Sequence, residues 1–260
     1  MARMTVAEAL TNLVWAKMSK IEDIKASGNW MYAAKLPGEG AKMWDACVAL
    51  RDSLLTLGVG IDGGKDSLSM AARCGDEVTK APGELTMTCY VTCPDITKTV
   101  TPDLKCPFSG SKLLFIDLGE GKKRLGGSAL ATVYSQIGNE SPDISNFSLL
   151  KKTMEVTQDL IDKRCILAGH DRSDGGLVTT LLEMAFAGNC SIDITIPTTS
   201  GSNIDMLFNE EAGLVIEVLD SDVASIMKAY QDISVPIKNI GTVSAGDSIK
   251  IAVGEFISLH

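Results

Sequence analysis

Histidine is almost missing from this 260-residue chain, which has only His170 and His260, the latter terminal. Cysteine occurs seven times, at 47, 74, 89, 93, 106, 165 and 190, and never as C-x-x-C. Together these disfavour a zinc site, which needs closely spaced Cys and His ligands. An odd number of thiols without a secretory leader fits unpaired cysteines in a reducing, cytoplasmic setting. A basic surplus is also lacking. The net charge is −9, from 24 Lys and Arg against 33 Asp and Glu. Neither a nucleic acid nor an anionic membrane is therefore an expected partner. No run approaches the roughly 18 apolar residues that span a bilayer. G-x-S-x-G is missing and no Cys/His pair stands out, so no nucleophile, and no catalytic residue, is assigned.

What is present suits a soluble globular protein of one large or two small domains: 45% of residues are hydrophobic and 22% charged. Apolar residues Leu10, Leu13, Val14 and Met18 predict a helix over 4–19. Residues 20–40 read as loops. A second helix is expected over 41–57, with Trp44, Cys47, Val48, Leu54 and Leu55 mostly inward. Val59–Asp62 is a short strand candidate, followed by Gly63-Gly64-Lys65-Asp66-Ser67 as a loop. Strict alternation over 85–93 predicts a strand with one buried face. Pro94, Pro102 and Pro107 break up 94–111, the expected boundary between subdomains. Beyond it, strands near 112–117, 191–196, 213–219, 237–243 and 249–253 interleave with helices near 128–137, 147–163, 177–187 and 221–231. That order predicts α/β plus α+β layering.

Three places carry candidate chemistry. Gly169-His170-Asp171-Arg172-Ser173-Asp174-Gly175-Gly176 follows an apolar, strand-like stretch, Cys165–Ala168, and precedes a helix. A strand that hands over to a helix N-terminus is where anions gather. Asp171 and Asp174 can hold a hard cation, and Arg172 and Ser173 can reach phosphate oxygens; the other reading is a polar turn with a helix cap. Glu8 and Asn12, four apart on one helix face, offer oxygen donors of the kind magnesium takes, or a solvated face. Gly63–Ser67 resembles a phosphate loop but is not a Walker A sequence, because Val59 and Asp66 stand where glycine and Ser or Thr are needed. Its alternative is a tight turn with an exposed lysine. His170 suits a general acid or base, or a residue that orients the loop. Asn209-Glu210-Glu211 reads as a cation or amine site, or a solvated turn.

Ala7–Asn12, Ser27–Met31, Pro37-Gly38-Glu39, Gly64–Met70, Gly169–Gly176, Glu183–Gly188 and Leu207–Glu211 occur in that order. Together they resemble the large, multidomain form of phosphoribosylformylglycinamidine synthase, in wording closest to animal versions. The resemblance covers nearly the whole chain. It implies the second half of the synthetase core, built like aminoimidazole ribonucleotide synthetase. Residues 1–107 are then a barrel-forming subdomain, truncated at its start, and 108–260 a C-terminal α+β subdomain. It also implies magnesium ligands at Glu8, Asn12 and Asp171, a nucleotide contact at Ser173, and phosphate or metal roles for Gly64, Lys65 and Asp66. The ligand would be ATP or ADP with magnesium, in an auxiliary site.

The same resemblance places a further magnesium-binding aspartate, the first synthetase half and the glutaminase outside this chain. Activity of the chain alone is therefore not expected. The remaining synthase domains are the implied partners, with self-association through the truncated sheet as a further possibility. Two other classes stay open: a non-catalytic pairing module, and a small-molecule kinase of the same superfamily.

Overall fold

A computed structural model describes residues 1–197, 202–254 and 257–259. His260 lies outside them. In chain order the elements are α1 (Ala2–Leu13), β1 (Lys25–Met31), α2 (Glu39–Leu57), β2 (Gly60–Ser67), β3 (Ala71–Cys74), β4 (Glu77–Lys80) and β5 (Glu84–Tyr90). Then come β6 (Ser111–Asp117), α3 (Ala129–Val133), α4 (Phe147–Asp162), β7 (Ala168–Asp171), α5 (Gly176–Gly188), β8 (Cys190–Ile196) and α6 (Asn203–Phe208). The chain continues with β9 (Gly213–Leu219), α7 (Val223–Gln231), β10 (Ile237–Ala245), β11 (Ile249–Val253) and β12 (Ile257–Leu259).

Two main sheets result. A three-stranded sheet has the order β2-β1-β5, and a seven-stranded one runs β12-β11-β8-β10-β6-β9-β7. The strand period of two sorts the large sheet's side chains into two cores. Leu113 and Phe115 of β6, with Val215 of β9, face Leu177 and Leu181 of α5. Leu114 and Ile116, with Leu214, Ile216 and Val218, face the other way. There they share one apolar cluster with Leu150 and Met154 of α4, Ile226 and Tyr230 of α7, and Val6 and Leu10 of α1. Helix α1 is thus core to both sheets, because Leu85, Met87 and Cys89 of β5 pack on the same cluster.

Several sequence expectations are overturned. Helix α1 ends at Leu13 rather than near residue 19. Gln158 of α4 takes over there: its amide donates to the carbonyls of Val14 (2.7 Å) and Ala16 (3.0 Å) and accepts from Met18 N (2.9 Å). Residues 20–40 hold β1, whose Ser27-Gly28-Asn29 reads locally as a turn but pairs on both sides, with β2 and β5. Gly63–Ser67 is no loop but part of strand β2. A Cβ on Gly64 (φ +155°) would strike the Gly28 carbonyl, so this glycine serves close strand approach. Gly58, Gly60 and Gly63 also carry the G-x-G-x-x-G spacing, but from helix end into strand, the reverse of a dinucleotide fingerprint. In α2, Trp44 and Leu55 point outward, at 68% and 73% exposure, and Leu50, Ser53, Leu54 and Leu57 face the core. Helix α3 covers only Ala129–Val133 of the expected 128–137.

Candidate functional site

The strand before the acidic elbow starts at Ala168 and runs through Asp171, so Gly169-His170-Asp171 is strand and the turn proper is shorter than expected. Gly175 (φ +85°) and Gly176 (φ +75°) make that turn. A Cβ on Gly176 would lie 2.6 Å from the Phe208 carbonyl carbon, so only glycine lets α5 start against the end of α6.

Helix α1 meets this strand end. Asn12 Nδ2 donates to Glu8 Oε1 at 3.0 Å and to Asp171 Oδ2 at 3.3 Å, so one amide nitrogen bridges carboxylates 163 positions apart in the chain. Asp171 is 4% exposed, and its backbone carbonyl accepts from Thr180 Oγ1 of α5 (3.1 Å). Burial, and then the charge of Asp171, push the Glu8 carboxyl up to about 7, with smaller contributions from Asp174 and Glu210; the Asn12 hydrogen bond opposes the rise. Three acids thus act on Glu8, which lines a groove of about 580 Å³ together with Thr5, Asn12, Leu85, Met87 and Thr88.

The Glu8 shift has a sign that can be tested. Folded Glu8 holds its proton to about pH 7 and unfolded Glu8 only to about 4.5. The folded state binds more protons between these values, so this contribution to stability is full below pH 4.5 and lost as pH rises through 7. The metal-free melting temperature is expected to fall across that window more steeply than for Glu8→Gln, as read by differential scanning fluorimetry. Identical pH profiles for the two proteins would refute the shift.

His170 does not stand free as an acid or base. Its Nδ1 lies 3.4 Å from Asp171 Oδ1, and its Nε2 lies 3.0 Å from Glu183 Oε2 of α5. The hydrogen bond to Asp171 raises its pKa, burial opposes, and the charges of Asp171 and Glu183 raise it further. Both ring nitrogens thus lie against carboxylates that flank the acidic elbow.

Arg172 is turned into the protein interior. Its guanidinium is buried over the Phe115 ring, 5.0 Å from the centroid. It donates to Asp117 Oδ1 (3.0 Å), to the Ala212 carbonyl (3.1 Å) and to the Glu211 carbonyl. The expectation that Arg172 reaches phosphate oxygens is corrected, because its side chain is buried and its donors are taken up by these internal partners. Ser173 is half-buried at the turn, where its carbonyl accepts from Gly176 N at 3.0 Å. Gly64, Lys65 and Asp66 stand apart, exposed on β2, with Lys65 Nζ donating to Ser67 Oγ at 2.6 Å.

Glu210 and Glu211 do opposite things, and neither is a solvated turn. Glu210 Oε1 accepts from Gly175 N and Ala129 N, both at 2.8 Å, and so pins the glycine turn. Glu211 is fully buried and chelates Arg124, with Nε at 2.6 Å and Nη2 at 2.9 Å. Sequence alone offered only the adjacent pair of acids before a strand as a signal. Among the described residues no three Asp, Glu, His or Cys side chains form a ready-made metal cage. Glu8 and Asp171 instead offer carboxylate oxygens of the kind that magnesium completes with phosphate and water, while Asn12 presents its amide nitrogen to both.

Comparison with known proteins follows this geometry. Residues 1–92 match the FGAR-AT PurM_N-like domain, and residues 109–254 match the AIR synthase related protein C-terminal domain. The probable phosphoribosylformylglycinamidine synthase of Arabidopsis thaliana is 53% identical over 97% of the chain, and the Homo sapiens phosphoribosylformylglycinamidine synthase 51% over 97%. Plant and animal relatives thus match about equally. The chain spans only 18% and 19% of these two proteins. Among solved structures, hydrogenase maturation protein HypE in complex with ATP is similar, with a TM-score of 0.71 at 14% identity, over 100% of this chain and 78% of that one. Thermotoga maritima PurL complexed with ATP gives 0.65 at 11% identity, over 100% of this chain and 39% of that one. At such identities the two structures speak for the fold alone. No described helix is long and apolar enough to cross a membrane.

Proposed function

Because the chain belongs to the AIR synthase related family, we propose that it is the nucleotide-holding part of an ATP-dependent ligase, phosphoribosylformylglycinamidine synthase. In this reading the whole enzyme converts formylglycinamide ribonucleotide, glutamine and ATP to formylglycinamidine ribonucleotide in purine biosynthesis. Residues 1–107 and 108–260 are its two subdomains, and the remaining synthase domains are its partners. The chain alone supplies no catalytic residue. Its seven cysteines, unpaired in the structure, suit the reducing cytoplasm.

The observation that carries the proposal is the Asn12 bridge between Glu8 and Asp171, with a Glu8 carboxyl held near neutrality by burial and by its acidic neighbour. Two unit charges about 4 Å apart repel by roughly 4 kcal/mol at an effective dielectric of 20. A divalent cation relieves that repulsion, so the residues fit magnesium. Once bound there, magnesium would neutralise the oxygens of an ADP or ATP phosphate chain. Glu8 and Asp171 would hold it, with the Asn12 amide turned over so that its oxygen replaces the nitrogen that now faces them, and Ser173 would meet the nucleotide at the start of α5. Gly64, Lys65 and Asp66 are assigned to a phosphate on the exposed β2 strand, with Lys65 as the neutralising charge.

Isothermal titration tests the site. Mg·ADP is expected to release heat with micromolar affinity, and ADP in excess chelator is not. No heat at millimolar ligand, with the chain shown folded by circular dichroism, would overturn the reading.

A second reading is favoured by β2. It is an edge strand, exposed along almost its whole length, with exposed Ile61 in it and exposed Leu68 and Met70 just after it. Such an edge is a template for pairing with another chain. Sedimentation velocity is expected to show a concentration-dependent dimer that Ile61→Lys weakens. A monomer at every concentration would argue against a pairing role for this edge.

A further inference from the structure

Two cysteines outside this site face each other. Cys190 opens β8, directly beyond the C-terminal end of α5, and is 8% exposed. Cys106 lies in the segment that crosses from the small sheet to the large one, is half-buried, and packs on the same apolar cluster. The crossing segment is held tightly against α5. Leu104 N donates to the Met184 carbonyl (3.4 Å), and a Cβ on Gly188 would lie 2.5 Å from Leu104 N. Cys190 Sγ donates to the carbonyls of Gly188 (3.2 Å) and Leu104 (3.6 Å), and its side chain hydrogen-bonds with that of Cys106.

The fully buried carboxylate of Glu217 fixes the other side. It accepts from Lys105 N (2.7 Å), Cys106 N (3.1 Å) and Ser111 Oγ (2.6 Å), and so anchors the backbone that carries Cys106. Cys106 itself has φ +43°, a left-handed conformation that a non-glycine residue rarely takes. Two thiols held face to face, one buried and one reachable, are the parts of a disulfide.

We propose that Cys106 and Cys190 form a reversible disulfide when the protein meets a peroxide. Peroxide enters from the accessible side, where the Cys106 sulfur attacks one of its oxygens. The Cys106 sulfur takes one oxygen as the O–O bond breaks, which gives a sulfenic acid and one water. The Cys190 sulfur then displaces that oxygen, which leaves as a second water with the Cys190 proton. The two sulfurs lose two electrons in all, and one hydrogen peroxide becomes two waters. A dithiol such as dithiothreitol reverses the step by exchange. Burial, the neighbouring Cys106 and the Glu217 charge raise the Cys190 pKa, which keeps it a thiol until its partner is oxidised.

The bond would staple the crossing segment to the end of α5 and close a long loop. Hydrogen peroxide treatment of the purified protein, with alkylation and peptide mapping, tests it. The expected product is a Cys106–Cys190 linked peptide, lost on dithiothreitol, with a melting temperature raised by about 5–10 °C. Cys106→Ser and Cys190→Ser each abolish the link and the rise, and Cys74→Ser, at an exposed position, leaves both. The proposal is overturned if both thiols stay alkylatable while the other cysteines are consumed, or if the link forms only in urea.

Discussion

Asp171→Asn is expected to weaken Mg·ADP binding by a hundredfold or more and to leave the ligand-free protein no less stable than the parent. One carboxylate opposite a cation is worth roughly 4 kcal/mol per unit charge at about 4 Å and an effective dielectric of 20. Desolvation takes back part of that, which leaves a loss of at least two decades. The stability effect has the other sign. Asp171 is the charge acting most strongly against Glu8, and an asparagine oxygen still accepts from Asn12. The variant should therefore also bring the Glu8 carboxyl down from about 7 toward its ordinary range. Titration calorimetry with carboxyl NMR reads all three. Unchanged affinity would remove Asp171 from the site, and an unchanged Glu8 titration would mean that burial alone sets it.

Arg172→Ala is expected to cost about 3–5 kcal/mol of stability, as breaking a buried ion pair does. Its side chain is 2% exposed and serves Asp117 and two backbone carbonyls. Alanine leaves all three acceptors short of a donor and removes the contact with Phe115. For a protein of this size that is a fall of roughly 10 °C in melting temperature. Arg172→Met keeps much of the volume and should cost less, because Asp117 can regain water. Mg·ADP affinity of the folded Arg172→Met protein should stay within a fewfold of the parent. A large loss of affinity with little loss of stability would return Arg172 to the phosphate role that its place in the motif suggests.

That residue also marks where sequence reasoning stopped. His170, Asp171, Arg172 and Ser173 are neighbours in sequence and look equally available. Asp171, the last residue of β7, faces α1, whereas Arg172, one position beyond the strand, turns toward Phe115 and Asp117. Residue spacing placed Glu8 and Asn12 on one helix face. It could not place that face against β7, because the contact depends on the core that α1 shares with the large sheet. Strands β6, β8, β9, β10 and β11 were legible because Val, Ile and Leu are prominent in them, whereas β7, Ala-Gly-His-Asp, was displaced. β1 was not legible, and of β2 only the start at Val59–Asp62 was, since their glycines and small polar residues are turn-formers read one at a time and become strand only through pairing across the sheet.

The shared core also bears on where the polypeptide can be cut. The two matched family regions meet between residues 92 and 109, which invites treating them as separable modules. Val6 and Leu10, however, belong to the same apolar cluster as Leu114, Leu214 and Ile216. Severing the chain there would wet both surfaces at once, so melting should be a single calorimetric event, and a family member that exchanged one module would have to exchange the face of its first helix too.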